Sequence, residues 1–107
     1  MAKIDYETDE MAKTPTTEHP TAESVAQVLA ALYEETFGGK ERGKYRISSR
    51  HLRELYGRRR LYAEDIVQLS RELLEQGFIL IDLDSFYVVV SLNAFVNYRR
   101  VNDECLG

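Results

Sequence analysis

The residues best equipped for chemistry are the bases of one stretch. Between positions 40 and 60, Lys40, Arg42, Lys44, Arg46, Arg50, Arg53, Arg58, Arg59 and Arg60 face only Glu41 and Glu54, a local charge of +7 in a chain of net charge −4. Guanidinium groups suit phosphate, because each is permanently charged and presents a planar fork of donors that matches two oxygens at once. Three of them, Arg58 to Arg60, are consecutive and stand just before an apolar-periodic segment that opens with Glu64 and Asp65. A helix beginning there offers unpaired amides and the positive end of its dipole, both of which favour an anion. Gln68 and Arg71, further along that segment, are of the types that pair with adenine and guanine edges. Glu64 is of the type that accepts from cytosine, although an acid facing DNA rejects wrong sites more than it creates affinity. The chemistry implied by these residue types is binding of an anion such as phosphate.

Other reactive residue types lead less far. Asp82 and Asp84 are two apart and are expected to form a solvated turn rather than a catalytic carboxylate pair. His51 has no second ligand candidate beside it, and a lone Cys105 with His19 and His51 gives no metal-ligand spacing. Gly38, Gly39 and Gly43 follow no buried strand and lack the lysine context of a phosphate loop. Tyr45 and Tyr62 flank the arginine-rich segment and are suited either to stacking on nucleic acid or to core packing, the latter being the stronger expectation. The chain is thus expected to be no enzyme and to need no cofactor.

The elements that must position the arginines follow from hydrophobic period. With 107 residues and 44% hydrophobic content there is room for one core and one domain. Residues 1–20 are polar, carry a charge of −3 and hold both prolines, which reads as a disordered acidic tail. Thr21 then caps a helix with Val25, Val28, Leu29, Leu32 and Tyr33 inward, ending at Gly38-Gly39. Tyr45 and Ile47 alternate as in a short strand, and Ser48 or Ser49 caps a second helix that turns Leu52, Leu55 and Tyr56 inward and stops at Gly57. A third helix runs from about Tyr62 to Gln76, burying Ile66, Leu69, Leu73 and Leu74, with Gly77 just past its end.

The stretch "FILIDLDSFYVVVSL" reads as a hairpin turning at Asp84-Ser85. Its register places Leu83 with Phe86, Ile81 with Val88 and Ile79 with Val90 on one face, and Phe78, Leu80, Tyr87 and Val89 on the other. Both faces are apolar, so the second is expected to be covered as well. A short C-terminal helix in "NAFVNYRRVND" is expected to lay Phe95, Tyr98 and Val101 over it, or over a second subunit. The expected dimer interface is therefore Leu80, Tyr87, Val89, Phe95 and Tyr98.

The fold class expected is α+β: helix, short strand, helix, helix and a two-stranded hairpin. In "ISSRHLRELYG" and "IVQLSRELLEQGFI" this order resembles the winged helix-turn-helix superfamily, with residues 21–93 as the domain and 94–107 as a packing or dimerisation segment. The resemblance implies that the third helix enters the major groove while the second braces it across the backbone. It would make Lys44, Arg46, Arg50, Arg53, Arg58, Arg59 and Arg60 phosphate contacts and Gln68 and Arg71 base readers, in a homodimeric transcriptional or mobile-element regulator. Two features depart from that pattern. Residues 62–76 carry four acids against Arg71, and the hairpin tip "DLDS" is acidic, both unfavourable near phosphates. The alternative is the same fold with the acidic helix 62–76 docking a protein and the arginines held in internal ion pairs with Glu34, Glu35, Glu64, Asp65 and Glu72. No apolar run approaches the roughly 18 residues of a membrane span and no secretory pattern opens the chain; the expected compartment is the cytoplasm.

Overall fold

The computed structural model describes residues 19–107; the expected tail at 1–20 lies almost wholly outside the described residues. The first helix, α1 (Ala22–Tyr33), is started by a reciprocal cap: Ser24 N–H donates to Thr21 Oγ1 at 3.1 Å and Thr21 N–H donates to Ser24 Oγ at 2.9 Å. The pair satisfies two amides that a helix start leaves open. The helix stops at Tyr33, whose carbonyl accepts from Gly43 N–H at 3.0 Å. Gly38 and Gly39 do not terminate it. With φ of 61° and 79° they form the tip of a small turn closed by paired bonds between Phe37 and Lys40, a left-handed geometry that two glycines adopt without strain.

Strand β1 (Tyr45–Ser48) runs directly into helix α2 (Ser49–Tyr56), Ser48 Oγ accepting from His51 N–H at 3.0 Å. Gly57 closes α2 in the left-handed region at φ 68°, where a side chain would be strained. Helix α3 (Ala63–Glu75) follows, then β2 (Phe78–Asp82) and β3 (Phe86–Ser91), a 3-10 turn at Leu92–Phe95 and a one-turn helix α4 (Asp103–Leu106). The fold is α+β, with a three-stranded antiparallel sheet ordered β1-β3-β2.

The hairpin register is the one the alternation implies, with Ile79 opposite Val90 and Ile81 opposite Val88. Its turn is built by the two aspartates. Asp82 Oδ1 accepts from Asp84 N–H at 2.9 Å, and Asp84 takes φ 81°, a conformation in which short polar side chains are tolerated.

The inner face of the sheet is the one expected to meet a second subunit. Tyr87 and Val89 are buried, Val89 completely, and Leu80, Phe78, Tyr45 and Ile47 pack against the same core. Val25, Ala26 and Leu29 of α1, Leu52 and Tyr56 of α2, and Leu69 and Leu73 of α3 complete it. Leu80, Tyr87 and Val89 are therefore withdrawn from any dimer interface, because the monomer's own helices cover them. The C-terminal segment does not cover the sheet with Tyr98 or Val101, which are 66% and 70% exposed; Tyr98 packs edge-on against Phe95 instead. Val28 and Leu74, expected inside, lie 43% and 49% exposed. Among the described residues no helix is long and apolar enough to cross a membrane.

The three helices meet through the buried i,i+4 pairs Val25-Leu29, Leu52-Tyr56 and Leu69-Leu73. Leu69→Ala is expected to lower unfolding free energy by about 2–5 kcal/mol in a urea titration. Val28→Ala, at a half-open site, should cost less than about 1 kcal/mol. Equal effects would contradict the assignment of inner and outer faces.

Candidate nucleic-acid interface

The loop between α2 and α3 places the arginine triplet, and it is held at both ends. At the first, Gly57 and Arg58 turn their amides back onto the Glu54 and Arg53 carbonyls at 3.0 and 3.1 Å. At the second, Asp65, in the first turn of α3, accepts from Tyr62 N–H with one oxygen at 2.7 Å and from Arg58 Nη2 with the other at 2.9 Å. The Arg58 guanidinium lies over the Tyr56 ring, 5.1 Å from its centre. Arg58 thus joins the last residue of α2 to the first turn of α3, and its charge is taken up inside the loop.

The anion at the α3 N-terminus is therefore the protein's own. The Tyr62 amide bond, followed by the Arg58 hydrogen bond, holds the Asp65 carboxyl below the usual carboxylate range. Burial, and then the nearby Asp65 charge, pushes the Tyr56 hydroxyl up to about 12, with Arg58 opposing. That hydroxyl is buried without a hydrogen-bond partner among the described residues, a local cost that the ring's packing offsets.

Arg59 and Arg60 are exposed, and neither has a carboxylate within ion-pair distance among the described residues. The other expected phosphate contacts are dispersed. Arg50 pairs with Glu54 at 3.3 Å, one turn away on α2. Arg53 is half-buried. Arg46 turns to the outer sheet face, its guanidinium 5.4 Å from the centre of the Phe86 ring, and Lys44 stands exposed just before β1. The strand lies at the N-terminal end of α2 and the triplet at its C-terminal end, so the two basic groups are separated by roughly the 12 Å length of an eight-residue helix. The residues expected to form one surface over 44–60 are thus spread along the whole length of α2.

On α3, Gln68 and Arg71 are exposed as groove-facing positions must be. Their neighbours on that face are Glu64, Val67 and Leu74, the last two about half exposed. Tyr62 is open to solvent, whereas the Tyr45 hydroxyl donates to the Leu29 carbonyl at 2.7 Å and its ring meets Phe37. Of these two tyrosines, Tyr62 is the one free to stack on a ligand. Among the described residues no group of three or more His, Cys, Asp or Glu is placed to hold a metal ion. The internal ion pairing that the sequence allowed for Asp65 is found at Arg58; sequence reasoning missed that the same carboxylate also accepts from Tyr62 N–H, although the signal was present in an acid three residues after the N-cap.

Because folding lowers the Asp65 pKa, its contribution is complete above the ordinary carboxylate value of about 4 and is lost as pH falls through the depressed folded value. Asp65→Asn should therefore be less stable than the native chain at pH 7, by about 1 kcal/mol as for other helix caps, and the gap should close in acid. Denaturant titrations at pH 7 and below pH 3 read this directly; a gap that persists in acid would place the effect elsewhere. Set against protein-family models, curated proteins and solved structures, the chain matches none, so its function must be argued from this geometry.

Proposed function

We propose that the chain is a small winged-helix protein that binds double-stranded DNA, acting as a transcriptional or mobile-element regulator. The element order and the three-stranded sheet β1-β3-β2 fit that layout, in which α2 braces α3 against the duplex. One observation carries the reading. Arg59 and Arg60 remain exposed beside the α3 N-terminus on a loop that Arg58 and Asp65 fix, so two permanent charges are held where the sugar-phosphate backbone passes. Gln68 and Arg71 supply the base-reading chemistry on the exposed face of α3. Pairing of two copies, which a palindromic site requires, falls to the exposed C-terminal residues Val96, Tyr98 and Val101.

A second reading has its own support. Tyr62 at the N-cap and Val67 and Leu74 on α3, 60%, 48% and 49% exposed, together with the exposed Glu64 and Glu75, make that face a candidate docking surface for a protein.

Binding to a random-sequence duplex at several salt concentrations separates the two. The slope of log affinity against log salt should be about −2 or steeper, at about 0.9 per phosphate neutralised, and Arg59→Ala/Arg60→Ala should make it shallower by about two units. Arg58→Ala should change stability more than slope. A folded protein that fails to bind at about 50 mM salt would refute the DNA reading and favour docking through α3.

A further inference from the structure

A groove runs along the outer side of α1 where it faces α2. Two adjoining depressions, of about 750 and 860 Å³, share Val28, Ala31, Glu54 and Leu55 as their common wall. Past Glu35 and Phe37 the first adjoins a third, where Lys40 and Lys44 stand. Arg42 and Arg46 border it too, but Arg42 is held by Glu34 and the Arg46 guanidinium lies over Phe86, so neither adds a free charge. Glu35, Lys40 and Lys44 are exposed and have no ion-pair partner among the described residues. From one end to the other the groove therefore presents an apolar floor, then one free acid, then two free bases.

The C-terminal segment presents the complement in the same order. Val96 and Tyr98 come first, Arg99 and Arg100 next, Asp103 and Glu104 last. All six are exposed, and the four charged ones have no ion-pair partner among the described residues. With Val101 and Leu106, the apolar members are between 66% and 81% exposed, an unusual density of open apolar surface for a chain that stays alone. The segment's own body does not take it up, since none of residues 96–106 lines the groove.

We infer that each chain lays its C-terminal segment into the groove of a second copy. Val96 and Tyr98 then meet Val28 and Leu55, Arg99 and Arg100 meet Glu35, and Asp103 and Glu104 meet Lys40 and Lys44. The order of charges fixes the direction, because a reversed segment would carry its acids onto the apolar floor without partners. The exchange is reciprocal, so one two-fold axis generates both contacts and closes the assembly at two copies. It deepens the pairing of copies within the DNA reading above by supplying the surface that receives the segment, while the contact itself needs no DNA.

The test uses the full chain. Cys105, its one cysteine, is exposed and takes a nitroxide within the segment. Isotopically unlabelled chains carrying the nitroxide are mixed with nitrogen-15 Cys105→Ser chains, and sedimentation equilibrium gives the number of copies. Two copies per particle are expected, with the amide signals of Val28, Phe37 and Lys40 broadened. Val28→Glu, at a half-open site, should abolish both effects while the circular dichroism spectrum and melting curve stay unchanged. Arg99→Glu/Arg100→Glu should weaken the dimer about tenfold, and adding Glu35→Arg should restore most of that loss.

A monomer at millimolar concentration would overturn the inference, as would a charge exchange that gives no rescue. Broadening strongest at Val96, Tyr98 and Val101 would overturn it in favour of a segment-to-segment contact. Broadening that persists at high dilution in chains carrying both labels would do so in favour of the segment's own groove. Duplex binding is read separately: a dimer with the expected broadening that leaves the random duplex unbound would count against the DNA reading and support the exchange.

Discussion

A three-stranded sheet in a body of this size can be covered by helices on one face, and the burial of that face governs everything else. Val89 sits at its centre, between Tyr45 on β1 and Leu80 on β2, with no solvent access. For Tyr45 and Ile47 to join it, β1 must pair on the free side of β3, although some forty residues separate them in sequence. The strand then fixes α2, because Ser48 is both its last residue and the helix cap. α2 in turn fixes Gly57, and Gly57 aims the arginine loop. The loop that carries the charge is thus the last link in a chain of constraints that starts with an apolar surface.

Electrostatics then decides how much of that charge is usable. Arg58 is neutralised at 2.9 Å by Asp65, and Arg50 and Arg42 have glutamate partners at 3.3 and 3.0 Å. Exposed pairs of this kind contribute under about 1 kcal/mol each to stability, yet each removes a positive charge from the field that a polyanion meets. The charge of +7 is accordingly an upper bound. The Debye length near 0.1 M salt is about 10 Å, close to the length of α2. The Arg59-Arg60 pair and the bases around β1 therefore act as two local contacts, and a duplex must touch both to gain from both.

Element existence was legible because three helices carry i,i+4 apolar pairs and clear caps, and the hairpin register was legible because a two-residue turn leaves one alignment. Which sheet face points inward was not. Ile79, Ile81 and Val88 are as apolar as Leu80, Tyr87 and Val89, so alternation sets the register without choosing the side. That choice is made by how the turn at Gly77, with φ 91°, brings β2 back under α3. Gly38-Gly39 misled for a related reason: positive φ serves a helix end and a tight turn alike. At the site, residue type identified the arginines, but their pairing depends on distances between α2 and α3 that no local pattern encodes.

The segregation of charge along the chain has a physical logic. A basic surface without its ligand concentrates counterions or finds a carboxylate within the molecule. Glu34, Glu54 and Asp65 each answer one base permanently, because they stand on elements the core holds in place. Duplex DNA carries one charge per about 1.7 Å of axis, a density that these single carboxylates do not match. Phosphates that displace carboxylates in place of mobile salt ions release fewer counterions per contact. On the DNA reading, the chain would accordingly register fewer phosphates in its salt dependence than it actually touches, because Glu34 and Glu54 already stand against Arg42 and Arg50.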